Sequence, residues 1–181
     1  MRIEKQEYNG EKNMDFLELA HTRFSVLEYD RKKVEQDKID RIIEAAIAAP
    51  TACNYQPQKI LIIDSDELKE RLQDVVPSKY YVLVAFLICY NRDACWTRPM
   101  DGKTSGDIDA AIVTTHMMLE ATELGLGSIW VMYWNPQKMK QAFELAENLE
   151  PVALLIAGYP ATDVKPKPGH LKRKIAEEIL L

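Results

Sequence analysis

Cysteine is scarce. Three residues in 181 (Cys53, Cys89 and Cys95) are too few and too scattered for a disulfide framework, which fits a reducing, cytoplasmic setting. Histidine is as sparse: His21, His116 and His170 stand far apart and form no H-E-x-x-H pair, so no metal site is expected. No apolar run is long enough to cross a bilayer. The longest, "YYVLVAFLICY" from Tyr80 to Tyr90, falls well short of the roughly 20 residues required. The opening "MRIEKQEYNGEKN" is charged, has no apolar core and does not read as a signal peptide. A basic excess is missing too. Lys and Arg total 23 against 28 Asp and Glu, a net charge of −5, which argues against nucleic-acid or anionic-membrane partners but leaves room for a local basic pocket. Glycine is limited to seven residues, and none completes a nucleotide fingerprint. "GLGSIW" has Trp130 where a third glycine belongs and follows a helix rather than a strand; "DGK" has Thr97 in place of the upstream glycine of a P-loop. No serine sits in a nucleophile elbow. Protein side chains alone offer no catalytic constellation, so any chemistry falls to a cofactor.

What is present is the profile of a globular domain, 47% apolar and 28% charged. Residues 1–13 read as a loose tail and residues 14–181 as one domain. Asn13 is positioned to cap a first helix running to about Arg23. Ile39, Ile42, Ile43, Ala46 and Ile47 recur at helical spacing from Val34 to Ala48, and Pro50 stops that helix. "KILIID" and "PVALLIAGYP" read as strands and "YYVLVAFLICY" as a central one. Ser65 followed by two acids opens a further helix. A polar stretch, Asn91 to Gly106, leads to a helix from about Asp107 to Leu124 that stops at Gly125. "SIWVMYW" is compatible with a strand or an extended loop. Asn135-Pro136 opens a last helix, to about Ala146. Helices and strands mix without βαβ spacing, which favours α+β.

The three cysteines read as small buried residues, and His116 as a hydrogen-bonded structural residue. Two basic clusters stand out: "RFS" (Arg23 to Ser25) and "KRK" (Lys172 to Lys174). Together they would make a phosphate cradle, because charge-assisted bonds to phosphate are strong; the alternative, favoured by composition for "KRK" more than for "RFS", is a solvated surface cluster.

In their order, these segments resemble the nitroreductase family of flavoenzymes. Its R-x-S-x-R/K-x-F/Y signature reads here Arg23-Phe24-Ser25-Val26-Leu27-Glu28-Tyr29. Its P-S-S/A-x-N-x-Q-P reads Pro50-Thr51-Ala52-Cys53-Asn54-Tyr55-Gln56-Pro57. A long helix then leads into G-L-G (Gly125 to Gly127), a strand into Gly158-Tyr159-Pro160, and the basic cluster precedes Glu177-Glu178-Ile179. The resemblance implies an α+β fold, with an antiparallel-rich sheet flanked by helices, in an intertwined homodimer that binds FMN at its interface. It implies that Arg23, Ser25, Lys172 and Lys174 meet the FMN phosphate and that Phe24 lies along the cofactor. Pro50, Thr51, Ala52 and Asn54 from the partner subunit would border the ring, and Met132 and Tyr133 would face flavin N5. The implied activity is ping-pong transfer of a hydride from NAD(P)H to an electron-poor acceptor such as a nitroaromatic or quinone, with no catalytic side chain. A flavin-binding sensor or carrier without turnover, or an interaction module without cofactor, are the alternatives.

Two departures stand out. Leu27 occupies the position of the signature's second base, near the ribityl and pyrimidine region, leaving Lys79 or Arg98 as substitutes. The stretch 91–106 with Trp96, Arg98 and Lys103 either lines the substrate pocket or is an ordinary connector.

Overall fold

The computed structural model describes residues 15–77 and 80–181. The expected cap Asn13 and the candidate base Lys79 lie outside the described residues.

Helix α1 (Phe16–Thr22) is capped by Asp15, whose carboxylate accepts from the Leu17 and Glu18 amides at 2.9 and 3.0 Å. The cap is therefore two residues later than the sequence suggests; a carboxylate there satisfies orphan donors and complements the helix dipole. Helix α2 (Gln36–Ala48) buries Ile39, Ile42 and Ala46 and ends as expected, Ala49 being turned extended ahead of Pro50. Strand β1 (Gln58–Ile63) follows, then helix α3 (Asp66–Val75), whose first turn is held by Ser65 Oγ accepting from the Leu68 amide. Strand β2 is Val84–Asn91, helix α4 is Gly106–Glu123 and strand β3 is Gly127–Val131. Helix α5 (Pro136–Ala142) is capped by Asn135 and ends four residues before the expected Ala146; strand β4 is Leu149–Gly158.

The four strands form one sheet in the order β1-β2-β4-β3, every neighbouring pair antiparallel. Alternation along the two central strands decides how it is covered. Val84, Phe86 and Ile88 of β2 point with Ala153, Leu155 and Ala157 of β4 toward α2 and α4. Ala85, Leu87 and Cys89 point with Leu154 and Ile156 to the other face, where they meet Leu72 of α3, Met139 of α5, Val26 and Tyr29. With both faces covered, β2 is apolar without a break from Val84 to Cys89, which is why its sequence does not alternate. The result is an α+β domain with helices on both faces of an antiparallel sheet. Helix α4 ends in a Schellman turn: Gly125, at φ +72°, donates to Thr122 O, and the Leu126 amide donates to Ala121 O. None of the described helices is long and apolar enough to cross a membrane.

Candidate functional site

The segment after α1 is the first component. Arg23 leaves the helix in extended conformation, Ser25 bridges Ser128 of β3 in parallel, and the Val26 amide donates to Ser128 O at 3.0 Å. Gly127 permits that approach: a Cβ there would meet Val26 Cγ2 at 2.5 Å. Tyr29 pins the other end. Its hydroxyl donates to Val26 O at 2.9 Å, and burial pushes its pKa far up, so it stays a donor. The Arg23–Tyr29 segment is thus a rigid strip laid along the edge of the sheet, with Val26 buried inward.

The C-terminal segment brings a second set of charges to the strip. A short turn (Pro168–Leu171) is closed by the His170 amide donating to Lys167 O at 2.8 Å. His170 lies edge-on to Phe24, ring centroids 6.3 Å apart. Arg173 donates to the His170 carbonyl. Partial burial and the neighbouring Arg173 lower the pKa of Arg23; burial, Arg173 and then Arg23 lower that of His170. Two guanidinium groups are therefore held close enough to repel, beside a cavity of about 330 Å³ lined by Phe24, Ser25, Leu27, Ile129, Lys167 and His170. Like charges gathered in this way are offset by an anion bound between them.

The third component is the connector Pro50–Pro57. Cys53, Asn54 and Gln56 all have positive φ (50°, 57° and 50°), a left-handed conformation that non-glycine residues enter at a cost of about 1–2 kcal/mol each. The strain is held by hydrogen bonds. Thr51 Oγ1 accepts from the Gln56 amide at 3.0 Å, and the carboxylate of Asp109, buried at the start of α4, accepts from the Ala52 amide at 2.9 Å. The other oxygen of Asp109 accepts from Ser105 Oγ at 2.6 Å. Ser105 closes the fourth component. Residues 96–105 form a small hairpin, with Thr97 bridging Thr104 and Arg98 in a bidentate pair with Asp101. Between hairpin, connector and α4 lies a cavity of about 320 Å³, walled by Ala52, Trp96, Ile108 and Ile112. Of the stretch 91–106, Trp96, Arg98 and Lys103 line this cavity.

These components are those of a known family. The model of the Nitroreductase family matches residues 20–80 and 84–159. The chain belongs to the nitroreductase family. A nitroreductase family protein from Clostridium difficile 630 is 41% identical and superposes with a TM-score of 0.87, over 93% of this chain and 98% of that one. A Desulfovibrio desulfuricans structure solved in complex with FMN is 25% identical, with a TM-score of 0.75 over 91% and 94% of the two chains. The FMN reductase (NAD(P)H) of Bacillus subtilis strain 168 is 25% identical over 162 residues, which is 80% of this chain and 65% of that longer protein.

Within this nitroreductase fold, the residues singled out in the sequence fall into two groups. Arg23, Phe24, Ser25 and Leu27 share a surface with Lys167 and His170. Pro50, Thr51, Ala52 and Asn54 belong to the connector, of which Ala52 lines the other cavity. None of the three cavities of about 270, 320 and 330 Å³ near these segments is lined by both groups. Met132 and Tyr133 are exposed just after β3, whose Ile129 lines the first cavity. Of the basic cluster, Arg173 is the residue whose charge bears on Arg23; Lys172, Arg173 and Lys174 are all exposed. Arg98, a candidate substitute base, is paired to Asp101 beside the other cavity.

Cys53 is exposed rather than buried, because the left-handed turn swings it outward; Cys89 and Cys95 are buried, and burial pushes the Cys89 thiol up to about 12. His116 does bond structurally, to Ile112 O at 2.9 Å. Asp109, Lys167 and His170 went unnoticed in the sequence. Asp109 carried a readable signal, a carboxylate four and eight residues ahead of the buried Val113 and Met117 and so on the apolar stripe of its helix.

Proposed function

We propose that this nitroreductase-family chain is an FMN-dependent oxidoreductase that uses NAD(P)H to reduce an electron-poor acceptor. The observation that carries this reading is that His170, with Arg173 bonded to its carbonyl, packs on Phe24 next to Arg23, beside the cavity of Phe24, Ser25, Leu27, Ile129, Lys167 and His170. Those residues fit FMN. The two guanidiniums suit a dianionic phosphate, and Phe24, Leu27 and Ile129 offer apolar walls for a flat ring. When bound, FMN supplies the hydride chemistry, accepting from NAD(P)H and then donating to the acceptor in a ping-pong cycle. The chain's own contribution is to bind, orient and exclude water. Arg23 and Ser25 hold the phosphate from the rigid strip, with the basic C-terminal segment (Lys172, Arg173 and Lys174) closing over it.

The connector completes the site from a second subunit. Exposed apolar side chains support a homodimer: Phe16 and Leu17 on α1, which buries none of its residues, and Ile175, Ile179 and Leu180 in the C-terminal segment. In that dimer the strained turn of Thr51, Ala52 and Asn54 would border the partner's ring. Trp96, Ile108 and Ile112 would then form the acceptor pocket, suited to flat nitroaromatic or quinone rings. Initial rates over a grid of NADPH (or NADH) and menadione or nitrofurazone concentrations test the cycle. Parallel double-reciprocal lines are expected; converging lines would show that both reactants must be bound at once. Sedimentation equilibrium of the FMN-loaded protein tests the dimer, and a monomer with FMN bound would overturn the shared site.

A further inference from the structure

Two cavities meet along Ser25, Leu27 and Lys167. One, of about 330 Å³, has Phe24, Leu27 and Ile129 as apolar walls and no carboxylate in its lining; its only permanently charged lining residue is Lys167. The other, about 270 Å³, adds Glu28, Asp163 and Lys165. Lys167 makes none of the ion pairs found among the described residues. Its backbone is fixed, because Lys167 O accepts from the His170 amide and Pro168 follows directly. Of the other polar side chains in the first cavity's lining, Ser25 is uncharged, and burial and repulsion from Arg173 and Arg23 lower the pKa of His170. Leu27, on the shared wall, brings no charge.

An isoalloxazine ring gains negative charge on its pyrimidine edge when it is reduced, and a fixed cation beside that edge favours the reduced form. We propose, on the FMN reading above, that Lys167 supplies this cation from the C-terminal segment, opposite the apolar Leu27. The charge that strip and ring require has moved to a different element of the chain. Lys167 acts on the ring and Arg23 on the phosphate, so the two are separable. Removing Lys167 penalises reduced flavin more than oxidised flavin, whether or not a phosphate is present.

The test is the midpoint potential and flavin affinity of the FMN-loaded protein and its K167M variant, measured with FMN and with riboflavin, which lacks the phosphate. Reduced flavin is expected to lose about tenfold more affinity than oxidised flavin with either ligand. For a two-electron couple that lowers the potential by about 30 mV. K167E shifts it further the same way, and L27K added to K167M restores it. Circular dichroism melting confirms that the variants fold, as expected for a change at an exposed turn. A wild-type protein that binds FMN, with a potential unchanged in K167M and K167E, overturns the assignment of Lys167 and leaves the FMN reading intact. A wild-type protein that binds neither flavin overturns both.

Discussion

Replacing Asp109 by alanine should loosen the connector more than it destabilises the protein. The carboxylate is buried and accepts two hydrogen bonds, from the Ala52 amide at 2.9 Å and from Ser105 Oγ at 2.6 Å. Hydrogen bonds to a charged group contribute about 1.5–3 kcal/mol each, so their combined loss is about 3–6 kcal/mol. Part is recovered where one or two of Cys53, Asn54 and Gln56 then leave the left-handed region, relieving about 1–3 kcal/mol. The net fall in global stability is therefore about 2 kcal/mol, while the connector loses its anchor. Urea denaturation at fixed protomer concentration measures the first quantity; hydrogen exchange at the Ala52 amide measures the second. Asp109→Asn keeps an acceptor for Ala52 and can donate to Ser105, and should cost no more than about 1 kcal/mol. An alanine variant as stable as wild type, with the Ala52 amide still protected, would refute the idea that Asp109 holds the strained turn.

Three further outcomes are expected. Arg23→Ala should weaken FMN by about 2–3 kcal/mol, the loss of a charge-assisted contact, and leave riboflavin affinity nearly unchanged; equal loss for both ligands in fluorescence titrations would remove Arg23 from the phosphate. Gly127→Ala should cost about 1–3 kcal/mol in thermal or urea denaturation, because its Cβ would fall 2.5 Å from Val26 Cγ2 and push the Arg23–Tyr29 strip off β3. Glu35 accepts from the Tyr159 hydroxyl at 2.6 Å and pairs with Lys32 at 3.0 Å, and these contacts hold its carboxyl at about 2. Its folded pKa lies below the unfolded value, so the stabilisation is present above about pH 4.5 and is lost as pH falls toward 2. Melting temperatures of wild type and Glu35→Gln should therefore differ at neutral pH and converge near pH 2.

The fold was legible where local chemistry and tertiary context agree. Ser65, Asn135, Pro50 and Gly125 marked helix ends because caps, proline and left-handed glycine act within a few residues. The all-apolar β2 identified itself as central, though nothing in it announced an antiparallel partner on each side. The hairpin at 96–105 was hidden because its pairing rests on one bridge and a salt bridge at its tip. The site was half legible. The two motifs stood out as unusual polar segments, but charge clustering in sequence pointed to Lys172 and Lys174. In the fold, His170 also meets Phe24 and Lys167 lines the same cavity, contributions set by turn geometry rather than by charge clustering. The strain at Cys53, Asn54 and Gln56 was foreshadowed only by Asn54, a residue that tolerates positive φ; the others are held there by Thr51 and Asp109.

The account rests on bound, reducible FMN, and one measurement addresses it most directly: the visible spectrum of the purified, FMN-reconstituted protein before and after anaerobic addition of NADPH or NADH. The account predicts a protein-bound flavin band near 450 nm, bleached by one of the nucleotides and restored by menadione. A protein that stays colourless after incubation with FMN, or whose bound flavin neither nucleotide bleaches, would contradict it.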